Sequence, residues 1–257
     1  GHTGSLDPMA TGLLPLCFGE GTKVSKFLLE ADKRYWATLR LGQETETGDA
    51  EGQVTDTAEV AVAEDRIREV LATFTGAIEQ VPSVYSAIKK GGEPLHKKAR
   101  RGEEVAAPDA RQVQIYRLEV LRLEEDRLEL DIHCSKGTYI RSLANDIGRA
   151  LGSLAHLDGL RRTASGPFRI EDAVTLDALE GEGLAGRREY LQSVDTALTG
   201  LPAVELGETS AYYLLQGQAV MVPKAPDAEL LRLYDEDGHF LGVGATLPDG
   251  RVGHFLR

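Results

Sequence analysis

The chain has 257 residues, 42% hydrophobic and 27% charged, with a formal net charge of −12. That length can bury a real core and hold one large domain or two smaller ones, and the composition is that of an ordinary globular protein. No apolar run approaches the roughly 18 residues a membrane span needs, and the isolated Cys17 and Cys134 lack zinc-site spacing, so they read as reduced, buried thiols of a cytoplasmic protein.

The chain opens with Gly1-His2-Thr3-Gly4-Ser5-Leu6-Asp7-Pro8-Met9-Ala10-Thr11-Gly12. Asp is favoured at a helix N-cap and Pro at the first helical position, so Asp7-Pro8 predicts a sharp turn that opens a helix. Thr22 to Leu29 predicts a helix with Val24, Phe27 and Leu28 inward. From Arg34 to Leu41 the pattern has period two: Tyr35, Ala37, Leu39 and Leu41 share one face, Trp36, Thr38 and Arg40 the other. The polar, acidic stretch Gly42 to Thr57 reads as a loop. A second helix, Asp65 to Thr73, presents Ile67, Val70 and Leu71, and Gly76 stops it.

Val81 to Lys89 reads as extended. Val113 to Leu123 and Arg127 to Cys134 form an antiparallel pair turned by Glu124-Glu125-Asp126. Tyr139 to Leu151 returns to helix, with Ile140, Leu143, Ile147 and Leu151 inward. Thr199-Gly200-Leu201-Pro202 breaks the pattern. Beyond it a helix, Ser210 to Gln216, precedes short strands at Leu230 to Tyr234, Phe240 to Ala245 and Arg251 to Leu256, with Asp237-Gly238 and Asp249-Gly250 as turns. The expected class is α/β (α+β): a mixed, largely antiparallel sheet flanked by helices, followed by a small β-rich module. The expected domains are 1–198 and 199–257.

The acidic total argues against a nucleic-acid partner, but distribution matters more than the sum. Lys89, Lys90, Lys97, Lys98, Arg100 and Arg101 lie close together, opposed only by Glu93 and interleaved with Gly91, Gly92 and Pro94. Composition alone leaves two readings open, a solvated face and an arm that touches phosphates.

Three segments in order, GHTGSLDP, DKRYWATLRLGQ and SKGTYIR, resemble the TruB family of pseudouridine synthases, which modify the T-loop uridine at position 55 of tRNA. The resemblance spans roughly Gly1 to Pro167 and fades beyond. It implies the family's fold, a PUA-like RNA-binding domain at 199–257, and an upstream strand with a Lys-Pro pair ahead of the GHTG motif. It also implies an RNA-binding insertion at 82–108, matched by Ser86-Ala87-x-Lys89, Gly92, Leu95, Ala99-Arg100 and Gly102. Lys89, Lys97, Lys98, Arg100 and Arg101 would then meet RNA.

By the same resemblance Asp7 is the catalytic carboxylate, acting either as a nucleophile at C1′ or as a base at C2′. Arg141 is its partner, and a guanidinium beside a carboxylate favours the charged form. Tyr35 is the stacking tyrosine for a flipped uracil, an interaction worth about 1–3 kcal/mol per base. Tyr139 orders the pocket, and Leu160 lines it. His2 lies against the T-loop, and Lys23 lies near the RNA backbone. The reaction is redox neutral, so no metal or organic cofactor is expected. The partner implied is the T-arm of tRNA, with no membrane and a monomeric, cytoplasmic protein. A non-catalytic RNA-binding or tRNA-folding protein is the alternative. A glycosidase is the poorer third, since nothing in the sequence places a second acid near Asp7.

Overall fold

A computed structural model of the chain describes residues 1–85, 89–90, 93–95, 101, 106 and 108–256. The period-two segment is its organising strand. Lys33–Leu41 lies in the middle of a mixed sheet, with Ala37, Leu39 and Leu41 buried on one face and Trp36 half exposed on the other. In chain order the strands along the main path of this sheet are β1 (Thr11–Gly12), β2 (Lys33–Leu41), β3 (Gly76–Gln80), β4 (Arg111–Glu124), β5 (Arg127–Cys134) and β6 (Ala155–Ser165). In space they run β1-β6-β2-β5-β4-β3; β1 pairs parallel with β6, and every other pairing along this path is antiparallel.

Two helices cover the Tyr35 face: α1 (Glu64–Thr73) and α2 (Ile140–Leu151). Their apolar sides, Ile67 and Leu71 from α1 and Ile140, Leu143, Ala144 and Ile147 from α2, pack with Ala37, Leu39, Leu128, Leu130 and Ile132 of the sheet. Each fully buried aliphatic side chain of this kind contributes about 1.5–3 kcal/mol. The sheet, α1, α2 and the segments between them form one compact unit, residues 4–14 and 30–165.

The structure departs from the sequence reading in four places. The Asp7-Pro8 step opens no helix: Ala10 N–H donates to the Asp7 carbonyl at 2.8 Å for a single turn, and the chain then enters β1. Pairing with β6 pulls it to the sheet edge. Gly12, at φ +104°, lies so close that a Cβ there would sit 2.3 Å from the Arg162 carbonyl oxygen. The stretch read as a loop contains a hairpin, Gln43–Thr45 with Val54–Thr57. β6, the neighbour of β2, was not foreseen. Register shifts between Leu157 and Gly159 and between Arg162 and Ala164 destroy the alternation that announces a strand. The segment read as the first helix is a 3₁₀ turn, Gly19–Val24, followed by a short α-helix, Ser25–Glu30.

The second unit comprises residues 1–3, 15–29 and 166–257. Its sheet uses β7 (Ala203–Glu205), β8 (Val220–Met221), β9 (Leu231–Tyr234), β10 (Phe240–Thr246) and β11 (Arg251–Leu256), in the order β7-β9-β10-β11-β8. Helix α3 (Glu208–Leu215) closes its core with Ala211 and Leu214 against Leu231, Leu233 and Val252. Both Asp-Gly steps make the expected turns, and Gly238 and Gly250 have φ of +78° and +81°. Cys17 and Cys134 are buried and free, and burial pushes the Cys134 thiol up to about 12. Among the described residues no helix is long and apolar enough to cross a membrane.

Candidate active site

Arg141 sits in the first turn of α2 with its side chain only 9% exposed. Every side of its guanidinium is engaged. Nε donates to Asp7 Oδ2 at 3.0 Å and Nη2 to Asp7 Oδ1 at 3.2 Å, a two-pronged grip on one carboxylate. Nη2 also donates to the Tyr85 carbonyl at 3.1 Å, and Nη1 to the Thr47 carbonyl at 3.1 Å. Asp7 itself keeps a third of its side-chain surface open. The residue that cannot turn is the arginine, and the residue with a free side is the acid.

A second carboxylate lies on the same guanidinium: Asp49 Oδ2 is 3.5 Å from Nη1. Asp49 is buried and accepts bonds from Thr47 Oγ1 at 2.5 Å and the Glu51 N–H at 3.1 Å. The turn that carries it is bound to β6, with Leu157 N–H on the Gly48 carbonyl at 3.0 Å and Ala50 N–H on the Leu157 carbonyl at 2.9 Å. Gly48, at φ +76°, lets the chain pass beside the Asn145 and Arg141 side chains. The sequence offered no way to single Asp49 out, because Glu44, Glu46 and Glu51 stand in the same acidic run.

Arg162 was also missed. It is 2% exposed and donates from Nε to the Leu13 carbonyl at 2.7 Å and from Nη2 to the Gly4 carbonyl at 3.2 Å. These bonds pin the loop on both sides of Asp7. Tyr35 faces Arg162 on one neighbouring strand and Ile132 on the other. Desolvation chiefly pushes its hydroxyl up to about 12, with Arg162 pulling the other way. Tyr139 caps α2, and Leu160 packs half-buried against the core.

Asp7, Arg141, Tyr35, Tyr139 and Leu160 thus fall in one unit. His2 and Lys23 belong to the other: His2 is exposed and bridges to Leu16, and Lys23 pairs with Glu20. Of the basic arm, the backbone of Lys89 pairs with Pro94 and Arg101 is exposed. Lys97, Lys98 and Arg100 lie outside the described residues.

Sequence comparison decides the family. Residues 1–140 match the model "TruB family pseudouridylate synthase (N terminal domain)", residues 141–199 the "tRNA pseudouridylate synthase B C-terminal domain", and residues 202–253 "Pseudouridine synthase II TruB, C-terminal". The chain belongs to the TruB family of pseudouridylate synthases. It is 50% identical to tRNA pseudouridine synthase B of Ectopseudomonas mendocina over 98% of its own length and 83% of the relative's. To the protein of that name from Aromatoleum aromaticum it is 53% identical, over 98% and 81%. Among solved structures it resembles a chain of a Cbf5-Nop10-Gar1 complex, with TM-score 0.72 and 29% identity over 96% of this chain and 69% of that one. It also resembles a chain of an H/ACA RNP bound to a substrate RNA containing 2′-deoxyuridine, with TM-score 0.70 and 26% identity over 96% and 69%. As a TruB synthase the chain is an isomerase that converts uridine to pseudouridine. The reaction breaks the bond from C1′ to the base nitrogen and makes one from C1′ to C5, so it needs an anionic group held at the sugar and room for the base to turn.

Proposed function

We propose that this protein isomerises uridine 55 in the T-loop of tRNA, with Asp7 as the carboxylate that acts on the extruded nucleotide. One observation carries the reading: Asp7 is held on two prongs by a buried arginine yet keeps an open side. A carboxylate so held can attack C1′ or take the C2′ proton without first reorganising, which is how a fixed polar site lowers a barrier. Arg141 orients Asp7, Tyr35 stacks on the turned uracil, and Leu160 and Tyr139 shape the pocket. His2 and Lys23 meet the T-arm. The arm at 82–108 grips phosphates through Lys89, Lys97, Lys98, Arg100 and Arg101, and residues 199–257 add a further RNA contact. Shape and backbone contacts then select the folded T-arm more than direct base reading does. The protein works as a cytoplasmic monomer.

A T-arm stem-loop carrying tritium at C5 of the target uridine provides the test. The native chain is expected to release tritium, and Asp7→Ala to bind the stem-loop without releasing any. Turnover in Asp7→Ala would overturn the role of the acid. Binding with no release by the native chain would favour a non-catalytic RNA-binding protein instead.

A further inference from the structure

An arginine that must meet an aspartate on two prongs needs its helix placed to within a fraction of an ångström. α2 begins at Tyr139 (φ −100°, ψ 107°), which has no side-chain cap of its own. The first N–H groups of a helix have no partner within it and must find one outside. Gln80, the last residue of β3, supplies it. Its Oε1 accepts the Tyr139 N–H at 2.8 Å, and its Nε2 donates to the Tyr139 carbonyl at 3.0 Å. That carbonyl also takes the first bond of the helix, from Leu143 N–H at 3.0 Å.

The carboxamide therefore brackets one peptide unit on either side of its Cα. A Glu or Gln of a capping box reaches back to the cap N–H in a related way, but here the group arrives from a strand 59 residues earlier in the chain. Gln80 is 1% exposed, so water does not compete for either bond. Nearby, Ser142 Oγ donates to the Val81 carbonyl at 3.1 Å, and Arg141 Nη2 reaches the Tyr85 carbonyl. The sheet thus reaches the helix start at Tyr139, two residues before Arg141. A small rotation of that turn shifts both prongs relative to Asp7, and displacements near 1 Å are enough to cost about a hundredfold in rate.

We propose that Gln80 is a positioning residue for the isomerisation, setting the first turn of α2 so that Arg141 presents both donors to Asp7. The proposal rests on the reading of Asp7 given above. It is tested with Gln80→Met, which keeps the length and loses both polar atoms, and Gln80→Asn, which keeps the carboxamide one methylene short. Tritium release is measured in single turnover at saturating stem-loop, beside stem-loop Kd, thermal midpoint and hydrogen exchange at the Tyr139 amide.

Both variants are expected to stay folded at the assay temperature, to bind stem-loop as the native chain does, to exchange the Tyr139 amide faster, and to release tritium at least about tenfold more slowly. If Gln80→Met melts too low to assay, Gln80→Asn decides. A native rate in a folded variant whose Tyr139 amide exchanges faster overturns the proposal. So does a rate loss that matches the unfolded fraction, which would make Gln80 merely structural. Asp7→Ala separates the two readings: if it is inactive while the Gln80 variants are native-like, only this proposal falls. If it turns over, the role of Asp7 falls and this proposal with it.

Discussion

Two arginine–aspartate networks stand on opposite faces of one sheet, and they are built the opposite way round. On the helix-covered face a single buried guanidinium, Arg141, serves Asp7 and Asp49, and Asp7 keeps an open side. On the other face a buried carboxylate, Asp131 at 2% exposure, is enclosed by two half-exposed arginines. Arg34 grips it at 2.8 and 2.5 Å, and Arg117 Nε lies 3.1 Å away. A carboxylate enclosed in this way has no open side for a substrate. The Asp131 network is a rivet between β2, β4 and β5. The Asp7 network spends its rigidity on the arginine and leaves the acid available. Residue types and distances are alike in the two; they differ in which partner is enclosed.

Paired substitutions test that contrast. The largest effect is expected from Asp7→Asn, which keeps the shape and removes the acid; tritium release should fall by about 10⁴-fold, the upper range for a general acid–base group. Asp131→Asn should leave release at the native rate and instead lower the urea midpoint. Arg34 and Arg117 are half exposed and can turn to water, so the cost is about 1–3 kcal/mol rather than that of a stranded buried charge. A rate loss in Asp131→Asn with the fold intact would erase the distinction. Next in size is Arg141→Lys, which keeps a positive charge and loses the fork; about a hundredfold slower release is expected at unchanged stem-loop Kd. Asp49→Asn frees one corner of the guanidinium but leaves the Asp7 grip and the Thr47 carbonyl in place, so the expected loss is about tenfold in single-turnover rate. A loss equal to that of Asp7→Asn would make the two acids partners in the chemistry.

Much of the sheet was legible because β2 and β5 alternate cleanly and one face of each is buried. The helix α2 was legible because Ile140, Leu143 and Ile147 recur at helical spacing. β6 was not, since its two register shifts scramble the period and it carries Gly159, Arg161 and Arg162 together. Those two arginines show the limit well: Arg161 is exposed and Arg162 is 2% exposed, and adjacent identical letters do not say which. At the site, Asp7 and Arg141 could be paired through motifs lying 134 residues apart in the chain, which no local pattern connects. Asp49 and Gln80 act through bonds made across the fold, and their identities alone do not announce this.

The smallest effect concerns the two tyrosines that flank these networks, and it reads burial directly. Tyr35 lies on the Asp7 face with its hydroxyl pushed from 10.0 up to about 12, chiefly by desolvation. Tyr116, at 47% exposure, lies on the Asp131 side and donates to Asp32 at 3.3 Å. A pKa raised on folding means that the native state holds the proton more tightly than the unfolded chain does. The stabilisation from Tyr35 is therefore complete below pH 10 and is lost as pH rises from 10 through 12, a change of about 2 kcal/mol at most. Urea melts across that range should show this alkaline limb in the native chain, and Tyr35→Phe should flatten it. Tyr116→Phe should leave most of it in place: its hydroxyl is also raised, chiefly by desolvation and then by Asp32, but an exposed phenol carries the smaller share. A limb that survives Tyr35→Phe and disappears in Tyr116→Phe would mean that the Asp131 side, and not the Asp7 side, is the one closed to water.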